Sequence, residues 1–195
     1  MRTMVKFTLF CFTFTCLCLS VVLSESTPAK PCDPKVIQCI KDINGGNYPV
    51  KAWSGLQILF NHFYEIRWYS GYKVDKFDCI STSFGLFGNK DTYTNQCKKV
   101  DEVIFKTELN STTKEFLIKD YKGVNMNAYA IYFKKYCLAL YVCSANGVLG
   151  PHVTIYCPKA KRDEPEVLKE IEEAKTALTK CNINDGVATC QKKCP

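Results

Sequence analysis

Histidine is nearly absent from this chain: its 195 residues hold two, His62 and His152, with three methionines and two tryptophans. Two histidines leave little material for His-based acid–base catalysis or a His-rich metal site. The motifs that carry such chemistry are missing as well. There is no Cys-X-X-Cys knuckle, Gly-X-Ser-X-Gly elbow, Walker loop or His-Glu-X-X-His pair. The expectation is a non-enzyme with no metal and no cofactor. Past the N-terminus no apolar run is long enough to cross a bilayer, so stable membrane insertion is not expected. Basic clusters are lacking too. The 26 Lys and Arg residues are scattered among 19 Asp and Glu, which argues against a nucleic-acid partner despite a net charge of +7.

Cysteines and aromatics are plentiful. The first 24 residues carry Arg2 and Lys6, then the apolar stretch Phe7 to Val22, with Val22 and Ser24 at the −3 and −1 positions for cleavage after Ser24. That is the pattern of a secretory signal peptide, so residues 1–24 are read as signal and 25–195 as one domain, secreted and extracellular. Ten of the 13 cysteines lie beyond the signal: Cys32, Cys39, Cys79, Cys97, Cys137, Cys143, Cys157, Cys181, Cys190 and Cys194. An even number in a secreted chain reads as a disulfide framework. Asn110-Ser111-Thr112 is an N-glycosylation sequon that secretion would expose to modification.

Aromatics make up 13% of the chain and favour β-structure. Eight runs alternate or are bounded by turn residues. They are Phe63 to Tyr69, Lys76 to Phe84, Asp91 to Lys98, Glu102 to Glu108, Lys114 to Tyr121, Asn127 to Lys134, Cys137 to Ser144 and His152 to Pro158. No helix-length segment interrupts them, so antiparallel neighbours are expected. A short helix is read over Val36 to Ile43, stopped by Gly45-Gly46, and Trp53 to Asn61 forms an irregular or helical lead-in. After the strands comes a helix over about 163–179, with Asp163 as its cap, Glu166 as capping-box partner and Pro165 in the first turn. Val167, Leu168, Ile171, Ala174 and Leu178 form its apolar stripe, and residues 181–195 are a Cys-rich tail. If strands seven and eight form a hairpin centred on Asn146-Gly147-Val148, Cys137 lies opposite Cys157, within bridging distance. A turn centred elsewhere would leave each to pair with the tail.

This succession resembles the lipocalins, and three stretches strengthen the likeness. Asn61-His62-Phe63-Tyr64-Glu65-Ile66 resembles the first-strand motif Gly-X-Trp-Tyr-Glu-Ile, with Asn61 for Gly and Phe63 for Trp. Lys134 to Cys143 resembles the seventh strand of insect bilin-binding lipocalins, with Phe133-Lys134-Lys135-Tyr136 where Thr-Asp-Tyr often stands. Val153 to Arg162 resembles the last strand and its basic exit. The departures point to a divergent member of arthropod type.

The resemblance implies an all-β fold: an eight-stranded antiparallel up-and-down barrel with a C-terminal α-helix, holding a small hydrophobic ligand. The more apolar strand faces are read as its lining: Phe63, then Tyr129, Ile131 and Phe133, then Leu138, Leu140 and Val142, then Val153 and Ile155. A one-residue slip exchanges the faces. The resemblance also implies that Cys32 or Cys39 bridges to Cys143, and Cys79 to Cys181, Cys190 or Cys194. Haem ligation through His62 or His152, an amine held by Glu65 or Asp78, and an anionic head on Lys98-Lys99 or Lys134-Lys135 are minor readings. The alternative function is a disulfide-rich salivary or venom-type protein that inhibits a protein partner through its surface. Oligomeric state is not legible.

Overall fold

The computed structural model describes residues 30–45, 77–85, 88–110, 113, 115–148 and 150–184, and the backbone of 62–69 and 187–188. The expected signal peptide and the lead-in at 53–61 lie outside them. Helix α1 spans Pro34–Ile43. Asp33 caps it, its carboxylate accepting from the Lys35 N–H at 2.8 Å, and Pro34 occupies the first turn, where a missing N–H costs nothing. Gly45 ends it with φ +61°.

The strands are β1 (His62–Tyr69), β2 (Cys79–Gly85), β3 (Gly88–Asn95), β4 (Lys98–Leu109), β5 (Phe116–Tyr121), β6 (Val124–Phe133), β7 (Leu138–Cys143) and β8 (His152–Pro158). Helix α2 covers Pro165–Lys180, and a ninth strand of two residues, β9 (Val187–Ala188), follows. The structure is mostly β, and every strand pairing is antiparallel. The order is β2-β3-β4-β5-β6-β7-β8-β1-β9, and β1 also pairs with β2. Strand β1 thus divides one edge. His62 to Tyr64 meet β2, and Arg67 and Trp68 meet β9. The count differs from the expected eight because the tail adds a strand there. Two residues carry no readable alternation.

The third and fourth strands begin and end elsewhere than expected. Their turn is Gln96-Cys97, with φ of 48° and 64°. A tight hairpin turn demands this left-handed backbone, but it normally advertises itself with Asn or Gly. Here Asp78 braces it, Oδ2 accepting the Gln96 N–H at 2.9 Å, and Cys97 is tied down by a disulfide.

Helix α2 starts one residue later than expected. Glu164, not Asp163, is its N-cap, and no side chain caps it. Glu164 instead takes both carboxylate oxygens to Lys161 at 3.0 Å. The buried stripe is Val167, Glu170, Ile171, Ala174 and Leu178, while Leu168 is 49% exposed. Residue 168 lies a full 100° round the helix from 167, which places it outside the docked stripe. No helix among the described residues is long and apolar enough to cross a membrane.

Candidate functional site

Facing residues in adjacent strands point to the same side of a sheet, so the register sorts inner from outer. Leu138 faces Tyr156, Leu140 faces Thr154, and Val142 faces His152 and Ala128. Ala128 faces Phe116, whose neighbour on that face, Ile118, meets Thr107. Phe105 then faces Asn89, Val103 faces Asp91, and Asp91 faces Thr82. Thr82 meets Phe63, which meets Pro158, one step along from Tyr156. One face is therefore continuous around the sheet. Phe84 and Tyr156 confirm the return, their rings meeting across β1 at 6.0 Å.

That face is the inner one. The opposite side of β4 is exposed at Ile104 (67%). On β6 to β8 the opposite side is covered by the helices. Tyr132 donates its hydroxyl hydrogen to Glu173 of α2 at 2.7 Å, and Tyr141 accepts the Asp33 N–H at 3.0 Å. Cys143 bonds to Cys32, ahead of α1. Buried residues thus occupy both faces of these three strands, and apolarity alone does not tell them apart.

The residues expected to line one interior are divided by this register. Leu138, Leu140 and Val142 lie on the inner face, and so does Phe133, opposite Leu138. Tyr129 pairs with Tyr141 on the helix side. Val153 faces Tyr141 and Ile155 faces Ala139, also on the helix side. The register shifts between Ala130 and Tyr132, making Ile131 the extra residue of a bulge. That shift breaks the period of two and parts Tyr129 from Phe133. The backbone of Phe63 is in inner register, but its side chain lies outside the described residues. Missed by the sequence reading were Thr82, Asn89, Asp91, Tyr93, Phe105 and Tyr121. The mixed polar run of β3 did not look like lining.

These residues form a polar cluster inside the sheet. Asp91 is 2% exposed. Its Oδ1 accepts from the Thr82 hydroxyl at 2.7 Å and its Oδ2 from the Tyr121 hydroxyl at 2.9 Å. Tyr121 shares a further hydrogen bond with the Tyr93 hydroxyl. Asn89 donates to the Thr107 hydroxyl at 2.6 Å. Burial pushes the Asp91 carboxyl up to about 6, against the pull of Thr82, Tyr121 and Lys122. Burial pushes the His152 imidazole the other way, down to about 4, so it is neutral at pH 7. His152 Nδ1 lies 3.3 Å from the Gly150 carbonyl.

The two shifts act oppositely on stability. Between about pH 4 and 6 the folded chain holds the Asp91 proton more tightly than the unfolded chain does. Asp91's contribution is therefore full below pH 4 and lost as pH rises through 6, by about 3 kcal/mol. For His152 the unfolded chain holds the proton more tightly, so its contribution is present above about pH 6.5 and lost as pH falls toward 4. Urea denaturation across this range should show wild type losing ground to Asp91→Asn as pH rises and gaining on His152→Gln. Parallel curves would contradict the opposite shifts of the two groups.

Several other expected site residues have partners at the surface, while the side chains of His62 and Glu65 lie outside the described residues. Lys134 pairs with Glu173 and Lys135 with Glu166, both on α2, and Lys99 pairs with Glu102. Asp78 braces the Gln96-Cys97 turn, and one of its oxygens is buried with no partner. Asn110 is exposed in the β4–β5 connection. Bridges with both cysteines among the described residues include Cys32–Cys143, Cys39–Cys181 and Cys137–Cys157. The register sum that put Cys137 opposite Cys157 is the one observed along the whole β7–β8 ladder. Cys181 belongs to α1's Cys39 and is not the partner of Cys79, because α2 ends beside α1. Cys79 and Cys97 are also disulfide-bonded. Cys190 and Cys194 lie outside the described residues. Among the described residues no cluster of three or more His, Cys, Asp or Glu suits a metal ion.

No protein-family model and no curated protein matches the chain. Solved structures do. Lobster apocrustacyanin A1 is similar with a TM-score of 0.53 at 14% identity, covering 86% of this chain and 92% of that one. Apocrustacyanin C2 is similar with a TM-score of 0.56 at 13% identity and the same coverage. At this identity the likeness is one of fold. Crustacyanins are lipocalins, and the antiparallel sheet of this chain, returning to its first strand and backed by a C-terminal helix, is a lipocalin fold.

Proposed function

We propose that this chain is a secreted carrier that binds a small hydrophobic molecule inside an eight-stranded barrel formed by β1 to β8. The observation that carries the reading is the continuous inner face, with Phe105, Phe116, Phe133, Leu138, Leu140 and Val142 turned to one side. Aromatic and aliphatic groups around a concave interior give affinity through burial alone, at ~25 cal/mol per Å², and need no catalytic group. The fold shared with crustacyanins supports it. The disulfides Cys32–Cys143, Cys39–Cys181 and Cys137–Cys157 support an oxidising, extracellular setting, with residues 1–24 as signal peptide. Ile104, exposed on the uncovered side of β4, and exposed Val100 at the strand's bulge favour the second reading, inhibition of a protein partner through the surface.

Native mass spectrometry of the protein from its source, before and after organic extraction, separates the two. The carrier reading expects an excess mass that extraction removes and that is recovered as one defined small molecule. Polypeptide and glycan mass alone, with no uptake of hydrophobic compounds, supports the surface reading. The same spectra test Asn110: enzymatic deglycosylation should remove one N-glycan, and an Asn110→Gln variant should lack it.

A further inference from the structure

Among the described residues, the buried side chains that carry a formal charge at neutral pH are Asp91 and Glu170. Glu170 sits on α2, outside the sheet. Among the described residues Asp91 is therefore the buried charge of the inner face, and it is negative. No buried lysine or arginine among the described residues balances it. We propose that Asp91 is a specificity-determining residue: the interior takes a hydrophobic ligand with a hydrogen-bond-donating head, a hydroxyl or a protonated amine, and rejects one that ends in a carboxylate. This rests on the carrier reading and names its ligand class.

The physical argument is one of cost. An anion buried beside an anion has no water to screen it, and neither has a cation to pair with. A donor head meets the reverse situation. Thr82 and Tyr121 each use one acceptor position on a different Asp91 oxygen. A carboxylate has about four such positions, so acceptor capacity is left over. A protonated amine adds charge to the hydrogen bond, which strengthens it about twofold.

The groups packed around Asp91 do not undo this. Thr82 on β2 and the Tyr93 and Tyr121 hydroxyls are neutral donors. Val103 and Phe105 on β4 do not titrate. Lys122 follows Tyr121 at the rim, half-exposed, paired with Asp101 at 3.0 Å and lying over the Tyr93 ring at 5.1 Å. It draws Asp91 downward less than the Thr82 and Tyr121 hydrogen bonds do. His152, on the same inner face, is held neutral by burial.

The test is displacement of the neutral fluorophore N-phenyl-1-naphthylamine from the full mature chain by decanol, decylamine and decanoate. At pH 8, decanol and decylamine should each compete at least about tenfold better than decanoate, and Asp91→Asn should reduce that gap to about threefold or less. A second reading uses wild type alone and so survives a variant that fails to fold. Decylamine stays protonated and decanol neutral from pH 5 to pH 8, so a rise in the amine-over-alcohol preference across that range, by roughly tenfold, reports ionisation of Asp91. Decanoate binding as well as decanol at pH 8, or an amine preference flat with pH, would overturn the assignment and leave the carrier reading intact. Failure of the fluorophore and all three competitors to bind would overturn both.

Discussion

Replacing Glu170 by alanine should cost about 4 kcal/mol of stability, although the residue reads in sequence as one more acid on a polar helix face. Its Oε2 accepts the backbone N–H of Tyr136 at 3.0 Å and that of Cys137 at 2.8 Å. Both residues are buried, in the connection from β6 to β7, where no ladder supplies an acceptor. A buried N–H left unpaired costs free energy comparable to a lost hydrogen bond, and hydrogen bonds to charged groups contribute roughly 1.5–3 kcal/mol each. Glu173→Ala, one turn on, is the control. Its carboxylate meets Lys134 and the Tyr132 hydroxyl at the surface and should cost about 1 kcal/mol. Urea unfolding of the two variants measures the contrast. Equal losses would mean that Glu170 is not the acceptor for the connection.

Loss of the Cys39–Cys181 bridge should cost about 4 kcal/mol, lowering Tm by roughly 10 °C. The bridge spans 142 residues and fastens α1 to the end of α2. Chain-entropy reasoning for that loop alone gives about 5 kcal/mol, but Cys32–Cys143 already shortens the unfolded loop that Cys39–Cys181 closes. The Cys39→Ala/Cys181→Ala double variant, followed by thermal denaturation, tests this. Once Cys32–Cys143 is also removed, restoring the Cys39–Cys181 bridge should stabilise more than it does in the otherwise intact chain. Strict additivity would show that the bridges restrict independent parts of the unfolded chain.

The broad plan was legible in local signals. Turn residues located the main strand regions, and alternation helped where one side of a strand is exposed, as on β4, because such a strand keeps a period of two. The hairpin at Asn146-Gly147-Val148 had ordinary turn residues, so the Cys137–Cys157 pairing followed from counting. Gly45-Gly46 marked the end of α1, but the helix starts at Pro34 with Asp33 as its cap, two residues before the expected Val36. The Gln96-Cys97 turn left no such signal, since its left-handed backbone is held by Asp78 and a disulfide.

The identity of the inner face was decided only by tertiary structure. Helices α1 and α2 cover the outside of β6 to β8, so both faces there are apolar and alternation loses its meaning. One extra residue at Ile131 then exchanges the faces within β6. The same holds for the two buried carboxylates. Asp91 and Glu170 look like surface acids beside their neighbours in sequence. Asp91 is drawn inside by hydroxyls from β2 and β5, and Glu170 by two backbone amides between β6 and β7. Composition and periodicity are local and determined where strands and helices form. Register, bulges and partners distant in sequence determined which residues face the interior and what charge it holds.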